Sequence, residues 1–437
     1  MCLFYVRRRT ASSRITLMVR IDDGGQLELR SILVVLPTWV GDFVMATPTL
    51  RAIRNRFAGA RITFLVNPNL RELVRGGDWM DECVEWPARI AETLKRRNAE
   101  KDWTVAGIGE EKPRTYRELV RRLRWRRFDL AVLLPNSFRS AWIAWCSGAK
   151  RRIGYDRDGR SFLLTDRIPV RNRHGGRGSA QRTIRSHDPS VASWLRGSVP
   201  SIQMGAKLPV RLGRYVPMPL VEYYADLAEA IGCEKPGDRL ELFTTPTCDE
   251  SIQNRLSAFG IADRHSLIVI SPGAKFGASK CWLPEWFASV ADHLIESEGA
   301  TVIVTCGPGE ESIARAIGKA MKQRGFLFDS PLLTLGELKS LVRRSDLLIC
   351  NDAGPRHLAK AFDVPVVTVF GPTHPDWTST SYDKERIVRI DVDCGPCQQR
   401  VCPLGHHQCM TGVTVDMVFS AATSLLQSRI PQHAEPR

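Results

Sequence analysis

The fold is indicated by residues 31–66, which read SILVVLPTWVGDFVMATPTLRAIRNRFAGARITFLV. Residues 31–36 form a short β-branched apolar run, which is typical of a strand buried on both faces. A Gly-Asp turn and a helical pattern to residue 56 follow, and Arg61–Val66 is a second apolar run. Strand, helix and strand in this order predict a βαβ unit and a parallel sheet.

The same alternation continues along the chain. Residues 129–134 predict another buried strand, and residues 137–146 predict the helix that follows it. Further strands are predicted at residues 267–271, 301–306, 346–350 and 364–370, with helices at 285–298, 310–322, 336–343 and 354–362. We therefore predict an α/β protein with two Rossmann-like, doubly wound parallel sheets in tandem.

These patterns divide the chain of 437 residues into four parts. We predict an N-terminal extension at 1–30, a first Rossmann-like domain at 31–245, a second at 246–410, and a C-terminal helix and tail at 411–437. Residues 90–114 predict a charged helical or loop insertion. Residues 171–207 are rich in Gly, Ser, Arg and His and predict a mobile loop.

The composition limits the partners. Lysine and arginine total 62 against 47 acidic residues, a formal charge of +15, which suits an anionic partner: nucleic acid, a phospholipid surface or a phosphorylated substrate. The sequence has no apolar run of the ~20 residues that span a bilayer, and arginines interrupt its first 20 residues, so we expect a cytoplasmic protein.

The turns after the predicted strands carry the candidate chemistry. Gly41 allows close backbone approach to a ligand, and Asp42 lies where strands open onto a crevice and could accept a proton from a hydroxyl. A helix-capping role is the alternative for Asp42. The turn at 272–282, with Gly273, Lys275 and Lys280, suits a phosphate cradle, although exposed lysines on an ordinary loop would look the same.

Two later turns extend this pattern. Gly307 is followed by Glu310 and Glu311 at a helix start, which is typical of sites that hold ribose hydroxyls. Residues 351–357 place Asp352, Ala353 and Gly354 at the start of a helix whose free amides would bind a diphosphate, and His357 follows them. These candidates are predicted to bind the donor.

Twelve cysteines are present, and four of them crowd into residues 394–409: Cys394, Cys397, Cys402 and Cys409. Their density allows a structural zinc site, reduced thiols or a local disulfide. The nearby Asp391-Val-Asp393 superficially matches a metal site for nucleotide sugars, but it does not follow a strand in the expected context, so we do not expect it to bind a metal.

Six segments together resemble glycosyltransferase family 9. They read PTWVGDFVMATPTLRAIR (37–54), DLAVLLPNSFRSAW (129–142), SPGAKFGASKCWLPEWF (271–287), LLICNDAGPRHLAKAF (347–362), VVTVFGPTHPDW (366–377) and CGPCQQRVCPLGHHQC (394–409). The resemblance extends over about residues 32–418 and follows the family order. It implies a GT-B fold, in which two Rossmann-like domains face a cleft, with the acceptor on the first and the nucleotide sugar on the second.

The resemblance also implies the reaction. It would be an inverting transfer of heptose from ADP-L-glycero-D-manno-heptose to a lipopolysaccharide core acceptor, with Asp42 as base, Lys280 on the diphosphate, and no cofactor required for catalysis. Asn136 and Arg139 lie in a block that faces the acceptor in relatives. The partners would be an ADP-sugar, a lipid A–core oligosaccharide and the inner membrane surface at its periphery, with no nucleic acid, and we expect a monomer.

Two alternatives remain at this stage. One is a family 9 transferase that uses another sugar or acceptor, since the sequence does not define either. The other is a basic nucleic-acid-binding protein with a structural zinc loop, which would bind DNA or RNA in a salt-sensitive manner. An oxidoreductase is disfavoured, because the first turn reads PTWVGD and not GxGxxG.

Overall fold

The structure is a computed structural model that describes residues 29–87, 109–111, 113–170, 217–261 and 266–428. It contains two parallel sheets flanked by helices. The predicted α/β architecture of two doubly wound domains is therefore confirmed. The predicted extension at 1–30 lies almost wholly outside the described residues, and so do the predicted loop at 171–207 and most of the insertion at 90–114.

The first sheet has seven strands in the order β4-β3-β2-β1-β5-β6-β7. These strands are β1 (Ser31–Val35), β2 (Arg61–Val66), β3 (Glu82–Glu85), β4 (Gly109–Glu111), β5 (Leu130–Leu133), β6 (Arg151–Tyr155) and β7 (Asp166–Ile168). Its helices are α1 (Val40–Arg56), α2 (Arg71–Val74), α3 (Tyr116–Trp125), α4 (Phe138–Cys146) and α5 (Leu220–Glu229).

The second sheet has six strands in the order β10-β9-β8-β11-β12-β13. These are β8 (Leu267–Ser271), β9 (Thr301–Thr305), β10 (Phe326–Phe328), β11 (Leu347–Asn351), β12 (Val366–Val369) and β13 (Glu385–Val388). Its helices are α6 (Pro246–Ala258), α7 (Pro284–Glu298), α8 (Glu311–Ala320), α9 (Leu335–Arg344), α10 (Gly354–Ala361), α11 (Gln408–Thr411) and α12 (Val415–Gln427).

The central strands show why the first apolar run sets the architecture. Val34 on β1 lies opposite Phe64 on β2 and Val132 on β5, and all three side chains are buried. Helices cover both faces of such a sheet, so a strand with apolar side chains on both faces can be buried completely without burying an unpaired polar side chain. The carboxyl ends of β1 and β5, and likewise of β8 and β11, then lie at the same edge of their sheet.

Helices α1 and α10 join the two halves at their N-termini. A Cβ atom added to Gly354, the first residue of α10, would lie 2.9 Å from the Val40 Cβ, the first residue of α1. One hydrophobic core cluster includes Ile32 and Val44 from the first half and Leu358 and Val364 from the second. The turns that carry the candidate residues of both halves therefore meet at this junction.

The sequence analysis missed the strands toward the sheet edges, which are β3, β4, β6, β7, β10 and β13. They have three to five residues and contain Glu, Asp or Arg or, in β10, partly exposed aromatic side chains, so they lack a long buried apolar run. Within the described ranges, the chain has no helix with both the length and the apolarity needed to cross a membrane.

Candidate active site

Asp42 lies in the first turn of α1, three residues after Trp39, the N-cap residue. Because Trp39 occupies the N-cap position, Asp42 is the third residue of the helix and not its N-cap residue. Burial raises the pKa of Asp42 to about 6, and the nearby positive charge of Lys280 opposes this rise. A carboxylate with a pKa close to neutral is well suited to accept a proton from a hydroxyl.

Lys280 reaches the same region from the second half of the chain. It ends a short 3-10 helix, Ala278–Lys280, and its Nζ donates to Asp352 Oδ2 at 2.5 Å and to the Asp352 carbonyl at 3.1 Å. The ammonium group also lies 4.9 Å from the centre of the Phe276 ring. These contacts hold the ammonium group at the start of α10, where the free helix amides add to its positive potential.

Asp352 is itself held by a buried network that the sequence analysis did not foresee. Its carboxylate accepts from Thr373 Oγ1 at 2.6 Å and pairs with Arg356 at 3.4 Å. Arg356 is fully buried and pairs with Glu385, its Nη2 donating at 3.0 Å. Burial by itself would raise the pKa of Asp352, but Lys280 and Arg356 hold it below its ordinary value, so this carboxylate stays ionised.

His357 and Gly41 bring the two helix N-termini into contact. A Cβ added to Gly41 would lie 2.9 Å from the His357 Cδ2, so only glycine fits there without displacing the ring. His357 Nδ1 is buried and has no hydrogen-bond partner within the described part of the chain. Burial, and then the charge of Arg356, lowers the pKa of His357, so the imidazole is neutral at physiological pH.

Ala353 is the N-cap residue of α10 and, like the cap of α1, provides no side-chain hydrogen bond. The first backbone amides of α10 therefore have no side-chain cap, and their binding of an anion stays a prediction. Asp42, Lys280, Asp352 and His357 thus surround the point where α1 and α10 meet.

The structure distinguishes Glu310 from Glu311, which the sequence left open. Glu310 Oε2 accepts from the Gly307 amide at 3.0 Å, and a Cβ at Gly273 would overlap the Glu310 carboxylate. Glu310 therefore lies across the turns that follow β8 and β9, beside the phosphate turn. Glu311 begins α8, and hydrogen bonds from the backbone at the start of this helix lower its pKa. Lys275 lies exposed on the turn after β8.

The two predicted acceptor residues differ in their surroundings. Asn136 Oδ1 accepts from Tyr223 Oη at 2.9 Å and from the buried Arg160 at 3.3 Å. Tyr223 is followed by Tyr224, whose pKa is raised first by burial and then by the charge of Asp42, so Asn136 is linked to the surroundings of Asp42. The guanidinium of Arg139 instead stacks over Trp86 at 4.9 Å.

The cysteine-rich loop packs on the phosphate turn. Ser279 Oγ donates to the Gln399 carbonyl at 2.6 Å, the Ser279 amide donates to the Arg400 carbonyl, and His407 Nε2 lies 2.8 Å from the Ser279 carbonyl. All four clustered cysteines are free thiols, and among the described residues no group of three or more His, Cys, Asp or Glu has an arrangement that could hold a metal ion. The zinc site thus stays a prediction without geometric support.

Comparisons with known proteins show the family of this chain. The model of the family described as glycosyltransferase family 9 (heptosyltransferase) matches residues 116–185 and 213–408, more than half of the chain. The chain is 24% identical over 399 residues to lipopolysaccharide heptosyltransferase 2 of Escherichia coli K12, covering 90% of this chain and 98% of the relative.

Two solved structures share the fold. A family 9 glycosyltransferase from Veillonella parvula superposes with a TM-score of 0.66 at 18% identity, covering 92% of this chain and 99% of that one. The structure of E. coli ADP-heptose lps heptosyltransferase II gives a TM-score of 0.62 at 22% identity, with 91% and 99% covered. The GT-B fold predicted from the sequence is confirmed.

Two parallel sheets of this kind, whose helices meet at such a junction, define a protein of the GT-B fold class. The chain belongs to glycosyltransferase family 9. This membership favours the glycosyltransferase prediction over the nucleic-acid-binding alternative.

The sequence analysis did not identify some residues of the site. Arg356 and Thr373 lie inside two of the segments that carried the family resemblance, so their positions offered a signal. Glu385 offered none, because it lies in the edge strand β13 and contacts Arg356 only through the tertiary fold.

Proposed function

We propose that this enzyme transfers a heptose from ADP-L-glycero-D-manno-heptose to the core of lipopolysaccharide, with inversion at the anomeric carbon. The names of its relatives support this donor and acceptor. The single observation that carries the proposal is the position of Asp42 at the start of α1, opposite Lys280 and the N-terminus of α10.

The reaction would begin at Asp42. Its carboxylate takes the proton from an acceptor hydroxyl, and that oxygen forms a bond to the anomeric carbon of the heptose. Because the pKa of Asp42 is about 6, most of the carboxylate is ionised at pH 7 and above and can serve as the base. Attack from the side of the first domain, opposite the diphosphate, gives inversion.

The bond between the anomeric carbon and the diphosphate oxygen then breaks, and ADP leaves with its charge. The ammonium of Lys280 and the first amides of α10 stabilise this charge as it develops. Asp352 orients Lys280 through their hydrogen bond, and neutral His357 is available as a hydrogen-bond partner for the phosphates. Glu310 would accept hydrogen bonds from the donor ribose, since it lies next to Gly273 at the same edge of the sheet.

The acceptor belongs to a lipid, so the proposal includes work at the inner face of the cytoplasmic membrane. The +15 charge of the chain favours a phosphorylated acceptor and an anionic surface.

A donor panel tests the proposal. Purified protein is mixed with ADP-heptose, ADP-glucose, UDP-glucose and GDP-mannose, and both the melting temperature and the transfer to a lipopolysaccharide acceptor that lacks the outer heptose are measured. We expect ADP-linked sugars to raise the melting temperature most and ADP-heptose alone to support efficient transfer. A preference for UDP- or GDP-sugars would reject the donor assignment and leave the family unchanged.

A further inference from the structure

Helix α4 presents aromatic side chains to solvent. Phe138, Trp142 and Trp145 are spaced four and three residues apart, so they share one face of the helix, and they are 48%, 38% and 53% exposed. Phe162 is 69% exposed and lies 6.1 Å from Phe138, ring centre to ring centre. We call these four residues the aromatic strip.

The strip is not required by the protein core. The opposite face of α4 packs on the first sheet through Ala141, Ile143 and Ala144, all of which are fully buried. Exposing clustered aromatic side chains to water is unfavourable, and a partner that covers them lowers the free energy. The strip therefore has the character of a contact surface.

Basic side chains lie beside the strip on helix α3. Arg117, Arg121 and Arg124 are exposed, and Trp125 at the end of α3 is 86% exposed. The acid of this helix, Glu118, is paired with Arg122.

Two contacts place α3 next to α4. Arg139 Nη1 donates to Tyr116 Oη at 3.5 Å, at the start of both helices. Burial raises the pKa of the Cys146 thiol, and the charge of Arg124 opposes this, so Arg124 lies near the end of α4 that carries Trp145. The aromatic strip and the exposed arginines therefore lie on neighbouring helices, with Arg124 nearest to α4, while Arg121 and Trp125 line a groove that also contains Arg61 and Glu82.

This combination matches the chemistry of a bilayer surface. Tryptophan rings are favoured at the level of the lipid headgroups, where one edge is apolar and the other hydrated. Arginines next to them are attracted by anionic headgroups. The excess of positive charge distinguishes the surface from one made for a second copy of this chain, because two such copies would repel each other.

We propose that the aromatic strip and the exposed arginines of α3 dock the protein onto an anionic phospholipid bilayer. Helix α4 begins two residues after Asn136, which lies on the acceptor side of the site. Docking would therefore bring the bilayer next to the entrance for a lipid-borne acceptor, and in that respect alone the inference rests on the proposed function.

Vesicle flotation of the full-length protein tests the proposal, with neither donor nor acceptor present. The probes are vesicles of phosphatidylcholine alone and of phosphatidylcholine mixed with phosphatidylglycerol. The variants are Trp142→Ser/Trp145→Ser, Phe162→Ser and Arg121→Gln/Arg124→Gln. The matched controls are Val401→Ser, an exposed apolar residue, and Lys319→Gln/Lys322→Gln, two exposed lysines of the second half.

We expect the wild type to bind the anionic vesicles more strongly than the neutral ones. Loss of two arginines should weaken binding to anionic vesicles by roughly tenfold or more and reduce its salt dependence. Loss of the two tryptophans should weaken binding to both kinds of vesicle by about tenfold. The controls should bind like the wild type.

Melting temperatures of all variants, and their transfer to a delipidated core acceptor, show whether they remain folded and active. Phe162→Ser keeps the proposal testable if the tryptophan variant fails to fold, because Phe162 lies outside α4. The proposal would be overturned if the wild type did not bind anionic vesicles. It would also be overturned if a folded variant with substitutions in the aromatic strip bound the vesicles as strongly as the wild type. Inactive protein that still binds vesicles through the strip would reject the proposed function alone.

Discussion

Replacing Asp42 by Asn tests the central residue of the site. The substitution keeps the size and shape of the side chain but removes the carboxylate that can accept a proton. If Asp42 is the base, kcat should fall by about 10²–10⁴-fold. The affinity for the ADP-sugar should change little, because the proposed mechanism places the donor phosphates on Lys280 and the amides of α10, away from Asp42.

The effect on stability follows from the pKa of Asp42. Since folding raises this pKa to about 6, the folded state binds more protons than the unfolded one between about pH 4 and pH 6, and stability falls as the pH rises through this window. A shift of about two units corresponds to about 3 kcal/mol at most, and the partial exposure of the side chain reduces this to about 1 kcal/mol. Loss of the helix-dipole interaction, about 0.3–1 kcal/mol, acts in the opposite direction.

At pH 8 the Asn variant should therefore melt at the wild-type temperature or slightly above it. Asp416→Asn is the matched control, because Asp416 is an exposed acid in the first turn of α12. This control should lose only the dipole interaction and keep full activity. Steady-state kinetics give kcat and calorimetry gives the melting temperature of both variants, and together they distinguish a catalytic base from a structural residue. An active Asp42→Asn enzyme with a melting point clearly below that of the wild type would refute the assignment of Asp42 as base.

Four further predictions follow from the same geometry. The pH profile of kcat/KM should rise with an apparent pKa near 6, and this limb should vanish in the Asp42→Asn variant. Lys280→Ala should lower kcat/KM by about 10²–10³-fold and weaken the binding of ADP in a titration, because the departing diphosphate loses its cation. Glu310→Gln should weaken donor binding by about tenfold or more, whereas Glu311→Gln should leave the dissociation constant unchanged. Chelation by EDTA should leave turnover intact, and loss of activity that magnesium restores would contradict this.

The sequence alone predicted two helix-covered parallel sheets and their central strands, but not the strands toward the sheet edges. Fully apolar runs such as residues 31–35 and 267–271 can be buried on both faces only in a parallel sheet covered by helices, and their alternation with helical patterns indicated two such sheets. It also identified the turns at the carboxyl ends of these strands. A turn between strand and helix is local in the chain, so its glycines, acids and lysines can be recognised before the fold is known.

What lies opposite each turn was decided by the tertiary structure. Gly41 is followed by Asp42 in the chain, but His357 and Lys280, which define the environment of this pair, come from the other half. The choice of Glu310 over Glu311 depended on its contact with Gly273, 37 residues away along the chain. The sequence left this open because both glutamates favour a helix start.

The polar network behind the site shows the same division. Arg356 lies between the predicted site residues Gly354 and His357. Its partner Glu385 comes from the edge strand β13, which has no apolar pattern from which it could be predicted. Local propensity depends on neighbours in the chain, and it predicted the central strands, most of the helices that cover them, and the turns between them. The pairing of Lys280 with Asp352 depends on charges brought together from distant segments of the second domain. The burial and the raised pKa of Asp42 depend on desolvation and on the charge of Lys280, so they arise only when the two domains pack.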